Sequence, residues 1–339
     1  MTSTQTMRAL VVERAGAEFV ASRLPMPGAG PGQVLVEIVA SGVNPLDTKV
    51  RAGKAAHAQQ PLPAVLGMDL AGVIVAVGVG VTSFKAGDEV YGMAGGIGGL
   101  QGTLAEFAAV DARLLAKKPA NLTMREAAAL PLAVITAWEG LVDRAQVAAD
   151  QTVLVHGGAG GVGHVAIQLA VARGARVFST VSAEQFDVVE RFGAQPIDFR
   201  STSVDEYVKT QTDGEGFDVV FDTVGGATLD ASFTAARRYG GHVLSILGWG
   251  THSLAPLSFR AATYSGVFTL MPMITGRRRE HHGDILREAA KLAEAGRLLP
   301  LMDPNRFTLD TALQAHQLVE AGRARGKVVV EVGGSAGQS

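Results

Sequence analysis

The chain has no cysteine among its 339 residues. Disulfides and thiolate metal ligands are therefore excluded, whatever compartment it occupies. It also lacks a surplus of either charge: 30 Lys and Arg stand against 32 Asp and Glu, a formal net charge of −2. No broad basic face is available for nucleic acid or an anionic membrane. The one basic run, Arg277-Arg278-Arg279, is followed at once by Glu280 and reads as a solvated helix start. Long apolar runs are missing too. The most apolar windows, 65–81 and 127–142, are broken by Asp69 and by Pro131 and Glu139, so neither predicts a membrane span. The first seven residues lack the apolar core of a signal peptide, and a cytoplasmic protein is expected. Charge is scarce as well, at 18% against 47% hydrophobic residues, which points to extensive burial and an oligomer surface.

A chain of this length predicts two domains, at roughly 100–200 residues each. Up to about residue 125 the pattern is of short strands and turns: strand-like runs at 7–13, 33–41 and 71–79, a turn at Lys85-Ala-Gly-Asp88 within 81–91, and a glycine-rich loop at 92–102. Thr123 and Glu126 then form a capping-box start for an apolar helix. Beyond it strands alternate with helices: 152–156, helix 161–173, 176–180, helix 183–192, 196–198, helix 204–210, 217–223, helix 227–237 and 241–247. Such alternation predicts a parallel sheet covered on both faces. A further strand is expected at 265–271, helices at 280–295 and 309–321, and a closing strand at 327–332.

Within that alternation stands Thr152-Val-Leu-Val-His-Gly-Gly-Ala-Gly-Gly-Val-Gly163, which contains Gly158-x-Gly160-x-x-Gly163. The motif alone is weak in a protein with 42 glycines. Its setting, after a buried-strand run and before apolar residues at helical spacing, is what counts. There glycine permits a tight turn, lets a pyrophosphate approach the backbone, and lets the helix pack on the strand. Gly158, Gly160, Gly161, Val162 and Gly163 are accordingly expected to cradle a dinucleotide at the helix N-terminus. The cofactor is expected to be NADPH rather than NADH. The second strand ends with Ser179, Thr180 and Ser182, hydroxyl donors suited to a 2′-phosphate, with no acid at its tip. Glu184 falls in the next helix's first turn, where an acid is favoured for its own sake.

These residues, with several other segments in order, resemble the medium-chain dehydrogenase/reductase superfamily, and more closely its zinc-free quinone oxidoreductase branch. The segments are Ser41-Gly-Val-Asn-Pro-Leu-Asp47, Leu66-Gly-Met-Asp-Leu-Ala-Gly72, Phe84-Lys-Ala-Gly-Asp-Glu-Val-Tyr-Gly92, Ala129-Leu-Pro131, Thr136-Ala-Trp138 and Phe221-Asp-Thr-Val-Gly-Gly226. The resemblance implies an α/β fold: a GroES-like β-rich catalytic domain over 1–125, completed by 276–339, and a Rossmann doubly wound parallel-sheet domain over 126–275. It implies that Asn44 and Asp47 serve catalysis from a cleft between the domains, Asn44 contacting the nicotinamide ribose or the substrate and Asp47 orienting it by hydrogen bonds. Tyr91, after the turn, is either an alternative proton donor or a packing residue. It implies cofactor contacts from Thr136, Arg200, Thr223, Val224 and Gly248.

Zinc-containing relatives carry cysteine, histidine and cysteine where this chain has Asn44, Met68 and Leu132, so no tetrahedral zinc set can be built and no metal is expected. What remains is hydride transfer to an acceptor already electrophilic, a quinone or an α,β-unsaturated carbonyl. Departures from the branch are Lys49, Phe186 and Phe199, where relatives often carry tyrosine, lysine and tyrosine. Two other classes stay open: a low-turnover dinucleotide-binding sensor or structural protein, and an atypical metal-dependent alcohol dehydrogenase. A homodimer is expected through an apolar edge strand at 265–271, with Val267, Phe268 and Leu270 buried against a second copy; the alternative is cover by the chain's own helix 280–295.

Overall fold

The computed structural model describes residues 5–333. Its backbone contacts divide the chain into two compact units. One takes residues 5–132, then Leu270–Gly296 and residues 300–333; the other takes Ala133–Thr269 with Arg297–Leu299.

In the second unit six strands form one sheet in the order Ala194–Asp198, Arg176–Val181, Thr152–His156, Val219–Asp222, His242–Ser245 and Thr263–Gly266. Every neighbouring pair is parallel. The central strands are short runs of Val, Leu and Phe because helices cover both faces; Val153, Leu154, Val155, Val220 and Phe221 have no exposure at all. Numbered along the chain, the strand order is 3-2-1-4-5-6, the doubly wound arrangement. Its order reverses between Thr152–His156 and Val219–Asp222, and crevices outside strand ends at such a reversal are where this architecture takes ligands. The glycine turn follows the first of these strands and the Thr223–Gly226 loop the second.

The first unit is β-rich. Its largest sheet runs Phe307–Thr308, Val328–Glu331, Gln33–Val43, Asp69–Val77, Glu89–Met93 and Leu115–Lys117, with Phe107–Asp111 also paired to Gln33–Val43. A small second sheet places Thr6–Val12 between Val20–Pro25 and Ala64–Val65. Met7, Leu10, Val43, Leu104, Phe307 and Val330 meet in one core. The closing strand Val328–Glu331 pairs antiparallel with Gln33–Val43, Val328 opposite Val43.

The turn expected at 85–88 forms, with Gly87 at φ +90°, and a strand follows from Glu89. The run expected as a strand over 265–271 pairs only over Thr263–Gly266. Beyond it Pro272 stands in the opening turn of the helix Met271–Thr275, where proline is tolerated because its missing N–H would be unpaired anyway. Val267 and Leu270, expected to be covered by a partner, are already buried at 7% and 3% exposure.

Candidate functional site

The glycine turn is built as its sequence requires. The backbone leaves His156 through Gly157 at φ +74°, a conformation glycine adopts without steric cost, and the Gly160 N–H closes on the Gly157 carbonyl at 2.9 Å. The helix Gly163–Ala172 starts here with Val162 at its N-cap, no side chain capping it and no acid in its first turn. Its N-terminal N–H groups and positive dipole end suit an anion. A methyl group on Gly163 would lie 2.1 Å from the Gly157 carbonyl oxygen, and one on Gly158 would lie 2.1 Å from Ser179 Oγ. Both glycines are therefore fixed by packing as well as by any ligand. The residues present fit a dinucleotide pyrophosphate.

The neighbouring loop is pinned to the turn. The Asp222 carboxylate accepts from the N–H groups of Val224 (3.0 Å) and Gly225 (2.9 Å) and from the Ser245 hydroxyl (2.7 Å). Thr223 Oγ1 donates to the His156 carbonyl at 2.7 Å. Val224 is 51% exposed beside it. His156 is buried, with Nδ1 2.7 Å from Thr180 Oγ1, and burial pushes its imidazole down to about 4 against the opposing pull of Asp222. It is neutral at physiological pH. Thr136 is buried on the helix Pro131–Trp138, its Oγ1 3.5 Å from Thr269 Oγ1. Gly248 passes close to Tyr264, whose hydroxyl would lie 2.2 Å from an added methyl.

The hydroxyls expected for a 2′-phosphate already have partners inside the unit. Ser179 is fully buried, its hydroxyl donates to the Val155 carbonyl at 2.9 Å, and it packs beneath Gly158. Thr180 Oγ1 is engaged by His156. Ser182 Oγ reaches Gln185 Oε1 at 3.3 Å. Arg200, also expected at the cofactor, is exposed and lies 5.6 Å from the Phe199 ring centroid. It pairs with Glu184 at 3.2 Å, and an exposed ion pair of this kind is weak enough to yield to a better anion.

In the first unit the segments around Asn44 and Asp69 converge on a buried polar cluster. Asn44, Asp47, Asp69 and Lys327 have 1%, 2%, 0% and 4% exposure. Asn44 begins the helix Pro45–Arg51, and its backbone N–H donates to Asp47 Oδ2 at 2.8 Å. Its Nδ2 donates to Asp69 Oδ2 at 2.9 Å, and its Oδ1 accepts from Lys327 Nζ. Asp69 Oδ1 accepts the Leu132 N–H at 3.0 Å, and Lys327 Nζ lies 3.9 Å from Asp69 Oδ2. Burial pushes Asp47 up to about 7 and Asp69 up to about 6, with Lys327 opposing both shifts. Burial lowers Lys327 in turn, opposed by the two carboxylates.

Sequence reading reached Asn44 and Asp47 but not Asp69 or Lys327. The available signal was a charged residue at the mouth of an all-valine strand, Lys327-Val-Val-Val330. Tyr91, expected as an alternative proton donor, is instead a core residue. It has no exposure, its hydroxyl donates to the Leu286 carbonyl at 2.6 Å, and burial pushes it well above the ordinary phenol value.

Comparison with known proteins agrees with this architecture. Residues 30–120 match a family model described as an alcohol dehydrogenase GroES-like domain, and residues 192–330 match one described as a zinc-binding dehydrogenase. A 2-methylene-furan-3-one reductase of Solanum lycopersicum is 37% identical over 91% of this chain and 74% of its own length. The chain belongs to the medium-chain dehydrogenase/reductase superfamily. A chloroplastic NADPH-dependent alkenal/one oxidoreductase of Arabidopsis thaliana is 36% identical over the same shares. The crystal structure of an alcohol dehydrogenase superfamily protein from Novosphingobium aromaticivorans is 58% identical, covers 97% of this chain and all of its own, and superposes with a TM-score of 0.95.

Zinc, which one family description names, does not fit the residues here. The positions hold a carboxamide, a thioether and a leucine, and the Asn44 oxygen that would have to face a cation faces an ammonium instead. Tetrahedral zinc takes thiolate, imidazole or carboxylate donors. Among the described residues no three His, Cys, Asp or Glu side chains are grouped so as to hold a metal ion. Among the same residues no helix is long and apolar enough to cross a membrane.

Proposed function

We propose that this oxidoreductase uses NADPH to reduce a conjugated carbonyl, an enone or a quinone, without zinc. The observation that carries the reading is the Asn44 carboxamide, clamped between Lys327 and Asp69 at the position where zinc-containing relatives place a metal ligand. Bound NADPH would supply the hydride. The glycine turn 157–163 would hold its pyrophosphate against the helix N-terminus, with Thr223 and Val224 alongside. A conjugated acceptor spreads the incoming electron pair onto its oxygen, so fixed N–H donors can stabilise the charge that a metal would otherwise bind. Asn44 is the donor on which this reading rests. The names of two relatives, an alkenal/one oxidoreductase and a furanone reductase, favour the enone acceptor.

The direct test is steady-state NADPH oxidation with a panel of enones and quinones, before and after exhaustive dialysis against chelator. Turnover is expected to be the same in both. Turnover that zinc alone restores would identify an atypical metal-dependent alcohol dehydrogenase, and tight dinucleotide binding without turnover would identify a sensor or structural protein.

Cofactor choice should follow Arg200. The expected order is NADPH tighter than NADH by roughly tenfold, the scale of one additional charge-assisted hydrogen bond. Arg200→Ala should collapse the difference. Glu184→Gln should widen it, because Arg200 is then released to the phosphate. Fluorescence titration with both cofactors measures this, and a wild type that prefers NADH would overturn the assignment.

A homodimer remains part of the reading, now through the strand edge Thr263–Gly266 rather than the longer run. Among the described residues that strand pairs only with His242–Ser245, and it stands at the end of the sheet. Bare strand edges invite pairing, and a two-fold axis would join two copies of this one. Light scattering should give twice the chain mass at micromolar concentration; a single-chain mass would exclude the dimer.

A further inference from the structure

Lys327 reaches the cluster through backbone geometry that leaves little freedom. Gly326 before it has φ +126°, and an added methyl there would lie 2.4 Å from the Leu301 carbonyl oxygen. The Lys327 N–H donates to that same carbonyl at 2.7 Å, and its own carbonyl accepts from the Asp303 N–H at 3.0 Å. The strand that follows pairs Val328 with Val43 and Val329 with Gly42 in antiparallel register. One step back along that register, Lys327 stands opposite Asn44, 283 residues away in sequence. A side chain delivered this way is aimed by the sheet.

Around the Asn44 carboxamide the partners are chemically one-sided. An ammonium only donates and an ionised carboxylate only accepts. Lys327 on Oδ1 and Asp69 on Nδ2 therefore permit one orientation of the amide. The flipped amide would set NH2 against the ammonium and oxygen against the carboxylate. With those two bonds made, the direction of the second Nδ2–H is fixed. The bond from a cation to Oδ1 also draws electron density from the amide, and hydrogen bonds in such a chain strengthen one another in a low-dielectric interior. Burying an ammonium with two carboxylates is costly, and an apolar group of similar volume would often be at least as stable. The arrangement is better explained by what it does to Asn44.

We propose that Lys327 is a positioning residue for the reduction: it orients and polarises the Asn44 carboxamide, so that the remaining Nδ2–H is presented as the donor to the oxygen on which charge develops. This rests on the reading of the protein as a conjugated-carbonyl reductase. Asp69 fixes the other side of the same amide, and Lys327 is the partner that also polarises it.

The experiment compares Lys327→Met, Lys327→Gln and Lys327→Arg, each alone and combined with Asn44→Ala, in the full-length protein. It reads kcat and KM with an enone, NADPH affinity by fluorescence, and thermal melting. Lys327→Met is expected to lower kcat roughly 10- to 100-fold, the usual scale for removing a partner that orients a functional group, with NADPH affinity essentially unchanged. Lys327→Arg, and in part Lys327→Gln, should restore kcat, because each keeps a donor. In the Asn44→Ala background none of the three should lower kcat further. If Lys327→Met proves too unstable to assay, Lys327→Gln carries the comparison with Lys327→Arg. A Lys327→Met variant that melts as a folded protein with unchanged kcat overturns the proposal. So does an effect on kcat that recurs in full in the Asn44→Ala background, which would mark a purely structural lysine. A wild type that reduces no conjugated carbonyl overturns the functional reading itself, and the role of Lys327 with it.

Discussion

Gly163→Ala is expected to weaken NADPH binding by at least about 100-fold, a loss of about 2.7 kcal/mol. The added methyl would lie 2.1 Å from the Gly157 carbonyl oxygen and 2.8 Å from Gly158 Cα. Both atoms belong to the backbone of the turn, so no side chain can move aside. The turn must open, and the N–H groups that would face the pyrophosphate lose their alignment. Gly160→Ala should disturb the fold much less, since its methyl would meet only the Gly157 oxygen, at 3.1 Å, so a loss of affinity there reports the space that the pyrophosphate needs. Gly28→Ala, with nothing within 4 Å, serves as the silent control. Fluorescence titration beside thermal melting separates lost binding from lost fold. Wild-type affinity in Gly163→Ala would mean that the glycines serve only the strand-to-helix packing.

Asn44→Ala should lower kcat by roughly 100- to 1,000-fold, the range seen when one preorganised donor to a developing oxyanion is removed. The truncation also leaves Lys327 and Asp69 facing each other without the carboxamide between them, so a lower melting temperature is expected. The discriminating quantity is the ratio of the kcat loss to the loss of NADPH affinity. A kcat loss far exceeding the affinity loss places Asn44 at the reacting oxygen. Equal losses would place it on the cofactor alone, and unchanged kcat would remove it from the chemistry.

The parts of this structure legible in the sequence were those whose signal is local. The parallel sheet announced itself because strands buried on both faces must be short apolar runs, as at Thr152–His156 and Val219–Asp222. The capping box at Thr123 and Glu126 is formed. Its helix nevertheless stops at Ala128, and Pro131 opens a second one, Pro131–Trp138, because proline suits a first turn and interrupts an interior. The run from Ser265 to Met271 looked continuous because Val267, Phe268 and Leu270 are apolar. The burial of Val267 and Leu270 comes from the chain's own packing, which hydrophobicity alone does not distinguish from a sheet edge.

The candidate site divides along the same line. The glycine turn is one contiguous segment, and its neighbours in sequence are its neighbours in space. The hydroxyls of Ser179 and Thr180 were legible as residue types but not as directions. On a strand successive side chains alternate faces, and both oxygens are taken up inside the unit by Val155 and His156. The Asn44 cluster is assembled from Asn44, Asp69 and Lys327, and sheet register alone brings the last of these to the first. The three valines after Lys327 mark a buried strand, but nothing local says which side chain its ammonium meets.

The most direct test of the account is a single-turnover reaction of the chelator-treated protein with NADPH deuterated at the hydride position and a simple acyclic enone, followed by mass spectrometry and NMR of the product. Deuterium on the β-carbon of a saturated ketone, formed at the same rate with and without chelator, is the predicted result. Deuterium on the carbinol carbon of an allylic alcohol, or transfer that appears only when zinc is added, would contradict it.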